Sequence, residues 1–410
     1  MKCLSKGLLT LVVLVLLMVI CLVPIYSQDV PPTGAPLGEP FKIGILGVMS
    51  GAAASWGLSM KYSAETNAKL INDEGGFVVD GVRHMVEVVA VDDQLDPQVA
   101  VKGAEYLIHV EKVKYILGTN VDDTSAAIIP IIEAAGVINV TYAFNKEIYS
   151  DPHNNSMLAM IASYQSAPIM YKYMRDNLGV KTISFVARNQ PDPLNQKKIG
   201  IDAAEKLGLE IISSDGTYEP ETADFFPIMT KALKEKPDLL VLSGVSPGDA
   251  PLLAKTARQL GYEGYFSTET SLDLNTLVEV AGEYAEGFIY TGGASTPELQ
   301  SEYMDKFIKT YAEIAGEWNA VAGTNAYQLP MVIYTIQQAG KAALTDVEEF
   351  KEAIPYVKVD DPFIKGEYSR VLEWVGESYF GQNHQIGIPM IIIQVKNGEA
   401  TTLSIGSIVD

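Results

Sequence analysis

The chain has 410 residues, 48% of them hydrophobic and 20% charged, a balance that excludes a disordered chain. Its length leads us to expect two or three domains. With 51 Asp and Glu against 30 Lys and Arg, the net charge of −21 argues against partners such as nucleic acid or an anionic membrane face.

In chain order, Lys2 and Lys6 precede an apolar run from Leu8 to Val23, followed by Pro24 and Ile25-Tyr26-Ser27. A basic start, an apolar core and a small residue at a cut site describe a secretory signal over residues 1–27. The run also approaches bilayer length, which leaves an uncleaved anchor open. Cys21 leaves a lipid anchor open too, although the bulky Ile20 stands just before it. Each option places the globular part outside the cytoplasm, in the periplasm or on the extracellular face. Both cysteines, Cys3 and Cys21, lie in this segment, so the rest of the chain has neither a disulfide nor thiolate chemistry. Residues 28–40, rich in Pro and Gly, read as an extended tether.

From Phe41 the pattern alternates between apolar, strand-like runs and helical periodicity. Strands are predicted at 41–48, 86–91, 113–117 and 137–140, with helices at 57–72, 97–110 and 124–135 between them. The same grammar then restarts. Helices at 166–177, 195–207, 224–234 and 250–260 alternate with strands at 182–187, 210–213, 239–243, 264–267 and 287–290. Two more helices, at 298–315 and 320–343, precede a β-like run at 389–395, a turn at Asn397-Gly398 and a partner strand at 401–405. Such alternation calls for an α/β fold of two doubly wound parallel-sheet lobes. The expected division is 41–162 plus 293–368 for the first lobe and 163–292 plus 369–410 for the second.

No catalytic set emerges. Gly244-Val245-Ser246-Pro247-Gly248 matches a serine nucleophile elbow, but that elbow uses the N–H of the residue after Ser, and Pro247 has none. His84, His109, His153 and His384 are scattered without metal-binding spacing. Gly44-Ile45-Leu46-Gly47 lacks the dinucleotide fingerprint. The doublets Asp92-Asp93, Asp122-Asp123 and Asp360-Asp361 lack the alternation of a calcium loop and read as caps or solvated turns. We therefore expect neither an enzyme nor a cofactor.

Several stretches of the first lobe carry a resemblance. Residues 43–51 (Ile43-Gly44-Ile45-Leu46-Gly47-Val48-Met49-Ser50-Gly51), Trp56-Gly57, Ile71-Asn72 with Gly75-Gly76, and Asp92-Asp93-Gln94-Leu95-Asp96-Pro97 come first. Tyr115-Ile116-Leu117-Gly118, residues 238–243, Glu269 and Ala285-Glu286-Gly287 then follow in order. Together they resemble the leucine/isoleucine/valine-type solute-binding proteins of ABC importers, over roughly residues 41–345. The resemblance implies a type I periplasmic-binding fold, whose lobes are joined by a multi-strand hinge and close on a ligand in the cleft between them.

It also implies site residues. Amino-acid binders of this family use Ser/Thr hydroxyls and helix N-terminal amides for the ligand carboxylate, and a second-lobe Glu for its ammonium. Glu269 falls at the latter position. At the former the chain reads Asn120-Val121-Asp122-Asp123-Thr124-Ser125. Asp122 there is either a helix cap or a departure that forces the carboxylate onto Thr124 or Ser125 or removes it from the ligand. Trp56 matches an aromatic cover, and Tyr142 and Phe144 follow a first-lobe strand. Asp192 and Ser246 sit on second-lobe loops. Aromatic faces beside carboxylates suit an amine or a quaternary ammonium.

The function expected is an extracytoplasmic binding protein that hands an amino acid or related amine to an ABC permease, working as a monomer. The alternatives are a ligand sensor of the same fold, and a binder of a cationic or aromatic solute that is not an amino acid.

Overall fold

The computed structural model describes residues 34–408. The signal, anchor or lipoprotein readings of residues 1–27 lie outside the described residues. No described helix is long and apolar enough to cross a membrane. The described end of the Pro-rich tether is docked rather than free: Gly38 N–H donates to Arg83 O at 2.8 Å and Arg83 N–H to Pro36 O at 2.9 Å. Backbone groups left over at the edge of a small hairpin hold it, as unpaired strand edges do.

Among the described residues, seventeen strands form two large sheets and that hairpin. The chain runs through β1 (Phe41–Gly47), β2 (Phe77–Val79), β3 (Val82–His84), β4 (Val86–Asp92), β5 (Tyr115–Leu117), β6 (Ile138–Thr141) and β7 (Ser156–Leu158). It continues with β8 (Thr182–Arg188), β9 (Glu210–Tyr218), β10 (Leu239–Ser243), β11 (Tyr265–Ser267) and β12 (Phe288–Thr291). The last strands are β13 (Lys358–Asp360), β14 (Val371–Val375), β15 (Gln385–Ile386), β16 (Met390–Lys396) and β17 (Glu399–Gly406). The first sheet has the order β13-β14-β15-β7-β6-β5-β1-β4, the second β17-β16-β12-β11-β10-β8-β9, and β2 pairs with β3.

The central strands, β7-β6-β5-β1 of the first sheet and β12-β11-β10-β8 of the second, are parallel and largely buried, which explains why β1, β5 and β10 are nearly unbroken apolar runs. Helices return the chain between them and carry clear local signals. Pro97–Glu105 opens on Asp96, whose carboxylate accepts from Gln98 N–H and Val99 N–H, with Pro97 at the first helical position. Asp122–Ala135 and Ser163–Leu178 end on left-handed Gly136 and Gly179.

One boundary differs from the sequence expectation. The expected division places residues 369–388 in the second lobe, but β14 pairs with β13 and β15, and β15 pairs with β7, so they complete the first sheet. Only β16 and β17 return to the second sheet, where β16 runs antiparallel to β12. The local pattern of a short strand does not say which sheet it will join. The chain thus passes between the sheets after β7, after β12 and after β15. Gln165 and Gln385 fasten these passages with reciprocal amide bonds of 2.8 and 2.9 Å, and Gln385 also donates to Met160 O.

Candidate functional site: a cleft between two lobes

The carboxyl ends of the parallel strands in both sheets open onto one cleft of about 520 Å³, part of it open to solvent. Doubly wound sheets place their binding residues at such strand ends. Asn120 and Val121 follow β5, Tyr142 and Phe144 follow β6, and Met160 follows β7. From the second lobe, Asp192 and Gln196 come after β8, Gly244 after β10, and Thr270 and Ser271 after β11. Trp56, Val321, Thr324 and Asn325 complete the wall.

Backbone geometry sets Trp56 at the rim. The next residue, Gly57, lies so close to Val48 O that a Cβ would clash with that carbonyl, and Gly57 N–H donates to it at 3.1 Å. The absence of a side chain lets the helix Ala54–Asp73 start hard against the end of β1. Asn120 braces the same corner, its Oδ1 accepting from Val48 N–H at 3.0 Å.

Two acids stand at this space from opposite lobes: Asp192 lines it, and Asp122 lies just behind the lining residues Val121 and Phe144. Asp122, first residue of the helix Asp122–Ala135, is buried, and its Oδ1 accepts from Phe144 N–H at 2.6 Å and Asn145 N–H at 2.9 Å. It is therefore not a cap of its own helix but a brace for the loop after β6. Burial pushes its carboxyl above the usual range, while the Asn145 and Phe144 amides, and more weakly Asn195 from the opposite lobe, favour its charged form. Asp192, in the first turn of Pro191–Lys206, is held well above the usual carboxylate range, by burial first and by the nearby charge of Asp122 second. Its Oδ2 accepts from Gln196 Nε2 at 2.9 Å. Among the described residues, no Lys, Arg or His lines the cleft.

Of the residues singled out from the sequence, Trp56, Tyr142, Phe144 and Asp192 line the cleft. Four others do not. Ser125 is buried in a hydroxyl chain, 2.5 Å from Thr119 Oγ1 and 2.8 Å from Thr141 Oγ1. Thr124 is buried, its hydroxyl donating to Val121 O at 3.3 Å. Ser246 is buried beside the start of Ala250–Gln259, accepting from Asp249 N–H at 3.2 Å. Glu269 is fully buried inside the second lobe, accepting from the hydroxyls of Tyr171 and Ser243, and burial raises its carboxyl to about 7. A tyrosine hydroxyl and a serine hydroxyl gather it inward, so the neighbouring Thr270 and Ser271 reach the cleft instead.

The lining residues the sequence did not flag are of two kinds. Gln196 lies one helical turn after Asp192, so the i, i+4 spacing carried a signal. Thr324 and Asn325 come from a four-residue helix far along the chain and carried none; Asn325 is held there by donating to Ser59 Oγ at 3.1 Å. Two buried polar atoms of cleft residues, Tyr142 Oη and Gln196 Oε1, have no protein partner. A buried polar group without a partner is costly, and at a cleft wall it is suited to meet a ligand.

The lobes touch at the lips of the cleft, where Gly248 N–H donates to Ala52 O at 3.2 Å. The arrangement can surround a small cation with aromatic faces and a carboxylate. Among the described lining residues it offers no nucleophile with an adjacent base.

Known proteins share this architecture. A model of the periplasmic binding protein family matches residues 40–400. The Leu/Ile/Val-binding protein of Escherichia coli (strain K12) is 25% identical over 256 residues, 62% of this chain and 68% of that one. The branched-chain amino acid transporter substrate-binding protein LivJ from Streptococcus pneumoniae, in complex with isoleucine, superposes with a TM-score of 0.74 at 19% identity, covering 90% of this chain and 99% of that one. A solute-binding protein of an ABC transporter from Rhodopseudomonas palustris BisB5, in complex with 3,4-dihydroxy benzoic acid, gives 0.73 at 19% identity over 90% and 98%. The solved structures share the fold, and the family match spans nearly all the described residues. The chain belongs to the periplasmic binding protein family, as its leucine/isoleucine/valine-type resemblance implied.

Proposed function

We propose that this protein captures a small amine-bearing solute, an amino acid or a close relative, between its two lobes outside the cytoplasm and passes it to an ABC-type importer in the membrane. The observation that carries the ligand class is the buried Asp192 carboxylate in a cleft walled by Trp56, Tyr142 and Phe144 and free of basic side chains. A buried carboxylate without a cation is unfavourable, and a bound ammonium relieves that cost. Aromatic faces add attraction for the same cation. Binding, closing and release constitute the whole cycle in this reading, with a monomer as the working unit and no bond made or broken in the ligand.

A relative's ligand such as 3,4-dihydroxy benzoic acid is an anion, and an acidic cleft disfavours it here. The test is a thermal-shift screen of the purified protein against amino acids, amines, betaines and aromatic acids. A ligand at a hundred times its dissociation constant adds about 2.7 kcal/mol, easily read as a rise in melting temperature. Hits among amine-bearing compounds, recovered chemically unchanged, are the expected outcome. Hits confined to aromatic acids would refute the reading.

A further inference from the structure

The amides and hydroxyls of the first lobe that would receive a ligand carboxylate are already engaged. Asp122 Oδ1 takes Phe144 N–H and Asn145 N–H at 2.6 and 2.9 Å, so a carboxylate of the protein itself occupies that pair of donors. Ser125 is committed to Thr119 and Thr141, and Thr124 to Val121 O. Across the cleft stands a second carboxylate, Asp192, and the lining holds no basic side chain to balance a third anion. The unpartnered cleft atoms, Tyr142 Oη and Gln196 Oε1, can both accept from N–H donors.

We infer that the solute presents a cationic nitrogen and no free carboxylate: Asp122 stands in for the acid group an α-amino acid would bring, and the ligand is an amine or a quaternary ammonium. The inference rests on the amine-binding reading above and narrows it. A free carboxylate entering the cleft would be desolvated near Asp122 and Asp192, with the Phe144 and Asn145 amides already taken and the Tyr142 hydroxyl the one buried unpartnered first-lobe group among the described lining residues left to donate to it, which is unfavourable electrostatically. An amine of the same shape meets Asp192, Tyr142 Oη and Gln196 Oε1, all of which can accept from it.

Isothermal titration of the full chain with compounds that share a cation and differ in the carboxylate tests this directly. Suitable pairs are isoamylamine and leucine, phenethylamine and phenylalanine, and choline and glycine betaine. In at least one pair the member without the carboxylate is expected to bind about tenfold tighter or more, the factor set by roughly 1.4 kcal/mol. A carboxylate-bearing member binding as tightly as its partner or tighter overturns the inference while leaving the amine reading intact; Thr270 and Ser271 would then be the place to look for the acid group. Silence from all six overturns both. Asp122→Ser releases the Phe144 and Asn145 amides and is expected to narrow or reverse the ratio within the same pair. Asp122→Asn, which keeps an acceptor for those amides and removes only the charge, does so in milder form if the serine variant does not fold. An unchanged ratio in a folded variant removes Asp122 from the discrimination.

Discussion

The hydroxyl of Tyr171 donates to Oε1 of Glu269, and this bond keeps the glutamate inside the second lobe instead of in the cleft. Its other oxygen, Oε2, is buried without a partner. Burial lifts the Glu269 carboxyl from an ordinary 4.5 to about 7. A group whose pKa is raised on folding stabilises fully below its unfolded value, and that contribution is lost as pH rises through the folded one. Glu269 therefore costs stability progressively between about pH 4.5 and 7, and the full cost stands above that.

Glu269→Gln keeps an acceptor for Tyr171 and abolishes the titration. Its melting temperature is expected to equal wild type near pH 4 and exceed it at pH 8, by on the order of 3 kcal/mol in stability. Asp93, raised by burial to about 6, contributes to the wild-type curve with the same sign, so the variant-minus-wild-type difference is the quantity to measure. Amine affinity should be nearly unaffected, since Glu269 does not line the cleft. A tenfold loss of affinity would mean that the side chain turns toward the ligand on binding.

Much of the fold was readable because buried parallel strands and their return helices declare themselves locally. β1, β8 and β10 are mostly apolar runs with few polar interruptions, and Asp96-Pro97 announces a helix start. What escaped was set by distant partners. The three-residue β7 (Ser-Met-Leu) and the two-residue β15 exist only because the sheet supplies neighbours, and β14 joins the first sheet through pairings no local pattern encodes. The site divides the same way. Trp56, Tyr142, Phe144 and Asp192 sit at strand ends, where sequence order predicts the cleft. Glu269 sits there too, but Tyr171, 98 positions earlier, draws it away.

The lips of the cleft offer a test of closure that leaves the ligand pocket intact. Gly248 N–H meets Ala52 O at 3.2 Å across the two lobes. A Cβ on Gly248 would already lie 3.2 Å from Ala52 O and 3.3 Å from Ala52 Cβ. The branched side chain of Gly248→Val would wedge the lobes apart. The expected result is a severalfold weaker affinity for whichever amine the screen identifies, with an unchanged ligand-free melting temperature and a larger radius of gyration for the ligand-bound form in solution scattering. Wild-type affinity in this variant would show that the lips need not meet when ligand is bound.

Asp192 gives a prediction with opposite signs in two readouts. Burial and the charge of Asp122 hold its carboxyl well above the usual range, so the empty folded state keeps a proton there that the unfolded chain would lose. That stabilising contribution is present at acid pH and is lost as pH rises through the raised value. Asp192→Asn, which cannot ionise, should therefore be more stable than wild type at neutral pH without ligand. Its amine affinity should fall about tenfold or more, since a hydrogen bond to a charged group is worth about 1.5–3 kcal/mol. In wild type the same affinity should weaken as pH drops, because a proton competes with the ammonium for the carboxylate; in the variant that pH dependence should flatten. Melting curves and titrations across a pH series separate the cases. A variant that loses both stability and affinity would make Asp192 a structural group, and one that keeps wild-type affinity would place the cation elsewhere in the cleft.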